Sequence, residues 1–198
     1  MRRINRRSWS NFLGLGVALG LVLTAFPASA EGSIVDKAVN DLTRGWQLSG
    51  PTASQELVKD PTVSGGIAER VTVTQAGANP WDAGGMNTNA KKVSQGDVLL
   101  LAFWAKAVTP PEGGDTVTIF ARIQESNPPY NGIGMQETVS IGKTWKMYYA
   151  KGAAPKDYRP GNISGAINIA TGKQVIDFGP ILILDFGPNY DINKLPHN

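Results

Sequence analysis

No cysteine occurs anywhere in the chain, and its one histidine is His197, next to the last residue. The first absence excludes disulfide staples, thiol nucleophiles and cysteine-ligated zinc. The second excludes multi-histidine metal sites, and it leaves serine or cysteine nucleophile systems with no imidazole base except at residue 197. Phosphate loops, G-x-S-x-G elbows and dinucleotide fingerprints are also missing. An excess of charge of either sign is absent too. Nineteen Lys and Arg face sixteen Asp and Glu, and Arg2, Arg3, Arg6 and Arg7 account for four of the basic residues. Residues 31–198 therefore hold fifteen basic and sixteen acidic side chains, a net of −1. That balance gives no electrostatic footprint for nucleic acid or for an anionic membrane.

What is present begins with a segment unlike the rest. The four arginines form a positive start, no acidic residue precedes Glu31, and Phe12 to Phe26 is almost wholly apolar. Ala28-Ser29-Ala30 closes the segment with the small-x-small pattern of a cleavage site. The three features describe a secretory signal peptide over residues 1–30. A membrane anchor would need about 20 apolar residues in a row. Arg6-Arg7, with Trp9 and Phe12 after it, has a loose likeness to a twin-arginine signal. A secreted or periplasmic protein is expected, with no membrane attachment once the signal is removed, and residues 31–198 fit one domain.

Glycine and proline are abundant, at 23 and 13 residues, and they punctuate short apolar stretches. Ser33 to Leu42 is the one segment with helical spacing, opened by a Ser33/Asp36 capping box. From Trp46 onward the period is two. Strands are predicted over 67–74, 97–107, 116–125, 135–141, 144–150, 163–170 and 174–185, with residues 77–89 as a long ordered loop carrying Trp81 and Met86. Turn signals such as Gly113-Gly114-Asp115, Asn127-Pro128-Pro129 and Pro160-Gly161-Asn162 separate the strands. The fold class is all-β: an antiparallel β-sandwich, or jelly roll, with one short N-terminal helix.

Alternation sorts each strand into two faces. Leu99, Leu101, Phe103 and Ala105 go with Val117, Ile119, Ala121 and Ile123 into the core, and Trp145 is assigned to it as well. The second face gathers Trp104, Lys106, Arg122, Gln124, Gln136, Thr138, Tyr148 and Asn168. Amides bind adjacent sugar hydroxyls in pairs, and aromatic rings cover the apolar faces of a pyranose. The mixture suits a ligand made of hydroxyls and C–H faces. The alternative for any one of these residues is an ordinary wet sheet face.

Several segments carry a resemblance. Gly66 to Val73 fits an early strand, Asn79-Pro80-Trp81-Asp82-Ala83 a loop, and Gln95 to Ala107 a strand with the pattern G-D, apolar run, F-W-A-K-A. Thr144-Trp145-Lys146 and Gln174 to Ile181, leading to Asp185-Phe186-Gly187, follow in order. From about Gly65 to Gly187 the chain resembles carbohydrate-binding modules of families four and nine, in the galactose-binding-like jelly-roll superfamily. The resemblance implies a polysaccharide or oligosaccharide lying across a concave sheet, held by Trp104, Arg122, Gln124 and Gln136, with Trp81, Asp82 and Tyr130 on the rim. It also allows a structural calcium, for which Asp177 and Asp185 are candidate oxygen ligands. No other cofactor is expected.

A binding role without catalysis is the expectation. A hydrolase would rest on Glu125 and Glu137, which flank the 126–136 loop, because glycosidases need two carboxyls about 5–9.5 Å apart. A lyase would rest on Arg122 and Tyr130. A structural or adhesion protein would use the segment Glu31 to Lys59, mostly outside the resemblance, as an interface.

Overall fold

The computed structural model describes residues 33–198, so the expected signal segment lies outside the described residues. Ten strands are present: β1 (Gln47–Ser49), β2 (Ala53–Lys59), β3 (Ile67–Val73), β4 (Gly84–Thr88), β5 (Val98–Thr109), β6 (Val117–Glu125), β7 (Gly132–Ile141), β8 (Lys146–Ala153), β9 (Ile163–Asn168) and β10 (Gln174–Asp185). They form two antiparallel five-stranded sheets, ordered β1-β4-β9-β6-β7 and β2-β3-β10-β5-β8. The two sheets pack face to face as a β-sandwich, as the alternation predicts.

The core is built from the residues whose parity points inward. Leu99, Leu101 and Phe103 from β5 meet Ile119, Ile123, Ile167 and Ile183, all fully buried. Each such side chain contributes about 1.5–3 kcal/mol by leaving water. Trp46 adds an edge-on contact with Phe178 at 4.7 Å between ring centres. A glycine makes room for it: a Cβ on Gly85 would fall within 1.7 Å of the Trp46 ring.

Three expectations need correction. The helix over 33–42 is a single 3-10 turn, Ile34–Lys37, although its Ser33/Asp36 capping box forms. After it, Ala38 bridges to Leu184 and Asn40 to Asn89, because backbone pairing with the sheets replaces a second helical turn. The loop over 77–89 contains a strand, β4, hidden by its two glycines. The faces around Trp145 are reversed: Tyr148 is buried against Phe103, while Trp145 sits half-buried with its indole N–H donating to Asp60 at 3.1 Å. Register fixes this, since Phe103 pairs with Tyr148 and Trp104 with Met147.

The segment 31–59 is integral to the sandwich where it is described: it supplies β1 to one sheet and β2 to the other. No helix among the described residues is long and apolar enough to cross a membrane.

Candidate functional site

The outer face of the β1-β4-β9-β6-β7 sheet carries a groove of about 470 Å³. Strand register stacks its floor in rows. Gly84, Asn168 and Phe120 lie side by side across β4, β9 and β6, and Met86, Ala166 and Arg122 form the next row. Thr88, Ser164 and Gln124 make the third. Neighbouring strands are ~4.8 Å apart and rows on one face are ~6.7 Å apart, a spacing suited to successive contacts along an extended ligand. Gly84 keeps the floor low: a Cβ there would meet the Ile167 carbonyl oxygen at 2.8 Å and the Asn168 amide oxygen at 3.1 Å.

The floor is held in place by its own contacts. Arg122 Nε donates to Gln124 Oε1 at 2.5 Å, and Gln124 Nε2 lies 3.7 Å from the Met86 sulfur. Gln124 and Asn168 are both almost buried beneath the groove. Arg122 makes no ion pair among the described residues, and no carboxylate lines the groove.

Two aromatic rings stand at the rims. Trp81, 62% exposed, is raised by the 3-10 turn Pro80–Asp82. Asp82 closes that turn by accepting the Asn79 N–H at 2.9 Å, so it shapes the rim without lining the groove. Tyr130, 40% exposed, lies on the other side, in the β6–β7 loop after Pro129. Its φ of 57° is in the left-handed region, uncommon for an aromatic residue. The Tyr130 N–H holds the bend by donating to the Asn127 carbonyl at 2.8 Å.

Of the seven residues singled out in the sequence, the groove thus gathers Trp81, Arg122, Gln124 and Tyr130. Trp104 is a correction. It sits on the outer face of the β2-β3-β10-β5-β8 sheet, with both sheets between it and the groove, and sheets pack ~10 Å apart. Lys106 shares that face, paired with Asp60 and, at 3.6 Å, with Asp177. Gln136 is exposed on edge strand β7, in the irregular stretch opposite Arg122, and does not line the groove. Asn168, Met86 and Ser49 are lining residues that the sequence-based choice left out. Asn168 had the right parity for inclusion; Met86 and Ser49 sit on strands that glycine and brevity concealed.

The candidate carboxylates are held elsewhere. Glu125 accepts from Lys156 at 2.8 Å, Asn131 at 3.1 Å and Tyr158 at 3.3 Å, and the lysine first, then the amide, hold its carboxyl below the usual range. Glu137 pairs across from Ala121, four residues along β6 from Glu125. That puts their backbone positions ~13 Å apart along the strand. Asp177 and Asp185 cannot share one calcium: they stand eight positions apart on β10, ~26 Å if extended. Asp177 is moreover bound by Arg70 at 2.8 and 3.0 Å.

A larger depression, about 770 Å³, opens beside β2 and β3, with Val35, Leu42, Leu57 and Ile67 exposed around Phe178. Its lining is mainly apolar, with Arg44, Glu69 and Asn87 among it, and it brings no exposed aromatic ring over a polar floor as the first groove does.

No protein-family model and no curated protein matches the chain. Solved structures do. One is a CBM4 carbohydrate-binding module, 16% identical over 77% of this chain and 99% of that one, with a TM-score of 0.52. Another is the CBM22-1 xylan-binding domain of Paenibacillus barcinonensis Xyn10C, 12% identical over 76% and 92%, with a TM-score of 0.50. A third contains the CBM22-1 and GH10 modules of Clostridium thermocellum endo-1,4-β-D-xylanase 10B, complexed with xylohexaose. There the identity is 15% over 77% of this chain and 28% of that one, with a TM-score of 0.52. At the level of fold, the chain is built as these carbohydrate-binding modules are.

Proposed function

We propose that the chain is an exported, non-catalytic carbohydrate-binding protein that holds a polysaccharide or oligosaccharide in the groove over β4, β9 and β6. The observation that carries this reading is the pairing of two exposed rings, Trp81 and Tyr130, above a polar floor of Arg122, Gln124 and Asn168. Rings stack on the apolar faces of pyranoses, and amides and a guanidinium bind hydroxyls. The fold shared with xylan-binding and other carbohydrate-binding modules supports the reading. Export rests on the N-terminal sequence pattern, and a secreted or periplasmic site follows from it. Gln136 and Asp82 are peripheral in this account, and Trp104 takes no part.

Affinity electrophoresis of residues 31–198 against a panel of soluble plant and microbial polysaccharides tests the proposal. Retardation by at least one glycan, strongly reduced in Trp81→Ala, is expected. A wild-type domain that migrates unretarded through every glycan contradicts it. An enzyme reading retains one observation, that Arg122 and Tyr130 line the same groove. It requires unsaturated products to appear during incubation and to disappear in Tyr130→Phe.

A further inference from the structure

Within the groove just assigned to carbohydrate, we infer that the preferred ligand is an acidic glycan, whose carboxylate docks on Arg122. This inference rests on the carbohydrate reading and narrows it. Arg122 is the one charged side chain lining the groove. Its Nε is committed to Gln124, which fixes the plane of the guanidinium. The two terminal nitrogens have no ion-pair partner among the described residues. A planar guanidinium with free terminal N–H groups matches a carboxylate in the bidentate manner.

The surroundings sharpen the case. Elsewhere among the described residues Arg70 and Lys106 are paired with Asp177 and Asp60, and Lys156 with Glu125. Glu125, the acid nearest Arg122 along β6, is turned to Lys156, Asn131 and Tyr158. The neighbouring floor is Ala166, Met86 and Asn168, so nothing in the groove competes with an incoming anion. A neutral sugar would leave that charge facing hydroxyls, whereas a uronate unit between Trp81 and Tyr130 would neutralise it.

The test is a pair of calorimetric titrations on the folded domain. Oligogalacturonate and glucuronoxylan oligosaccharides serve as acidic probes, and their carboxyl-reduced counterparts as neutral ones. Binding of an acidic probe roughly ten- to a hundredfold tighter than of its reduced form is expected. The preference should shrink with added salt and vanish in Arg122→Gln, while Arg122→Lys restores only part of it. The reduced probes need no variant, so a folding defect cannot imitate the result. Equal binding of acidic and reduced probes, or a preference unchanged in Arg122→Gln, overturns the acidic assignment and leaves the groove as a neutral-sugar site. No binding of either kind by wild type, or by any glycan of the wider panel, overturns both.

Discussion

The two outer faces of the sandwich use the same kinds of residue to opposite ends. On the β2-β3-β10-β5-β8 face, every polar group of note is answered from within. Arg70 grips Asp177, Lys106 pairs with Asp60 and Asp177 and lies 4.9 Å above the Trp145 ring, and Trp145 itself donates to Asp60. The rest of that face is roofed by the N-terminal turn and the C-terminal segment, which pack Ala38 and Leu195 onto Leu100, Ala102 and Leu184. On the β1-β4-β9-β6-β7 face, Arg122 is unpaired, two rings stand exposed, and nothing from the described chain covers them. A surface satisfied by its own chain holds a fold together. A surface left unsatisfied on a rigid sheet has its interactions available for something else.

The largest expected effect breaks the satisfied face. Asp177→Ala leaves Arg70 and Lys106 without their buried carboxylate and is expected to cost about 3 kcal/mol of stability in denaturant unfolding. Glycan affinity of the molecules that remain folded should not change. Next, Trp81→Ala should weaken glycan binding by roughly ten- to thirtyfold while leaving the unfolding midpoint nearly unchanged, because the ring is largely exposed. Asn168→Ala should lose about fivefold in affinity, the worth of a neutral hydrogen bond. Trp104→Ala should leave affinity within a factor of about two, since its face is separated from the groove by both sheets.

The smallest effect concerns pH and divides the two faces again. Lys106, then Thr62, hold the Asp60 carboxyl well below its usual range. A depressed native pKa contributes stability that is fully present above the unfolded value, ~3.9, and is lost as pH falls toward the native one. Acid unfolding is therefore expected to begin below about pH 4, and Asp60→Asn should flatten that limb. Binding of a neutral oligosaccharide should stay level between about pH 5 and 8, because neither a carboxylate nor a histidine lines the groove.

Much of the fold was legible because β6 alternates over most of its length and Leu99, Ile119 and Ile167 all point one way, although β5 opens on a continuous apolar run. The misplacement of Trp104 has a geometric origin. Alternation tells inside from outside along a strand, but a sandwich has two outsides. Trp104 and Arg122 have the same outward parity and were pooled into one site, although chain topology sends β5 and β6 to different sheets. The Trp145 and Tyr148 reversal arises because β8 has an apolar or aromatic side chain on both faces, so parity alone does not say which ring is buried. Gly84 and Gly85 erase the alternation of β4, yet those glycines open the groove floor and admit Trp46 beneath it. Trp81 and Tyr130 come from the family resemblance, since alternation assigns nothing in the loops that carry them.

The most direct test follows the indole N–H resonances of Trp81 and Trp104 in one ¹⁵N-labelled sample titrated with xylohexaose and with oligogalacturonate. A saturable shift at Trp81 and a stationary signal at Trp104 are expected with whichever sugar binds. Movement of the Trp104 signal, with Trp81 unmoved, would contradict the account and assign recognition to the opposite face.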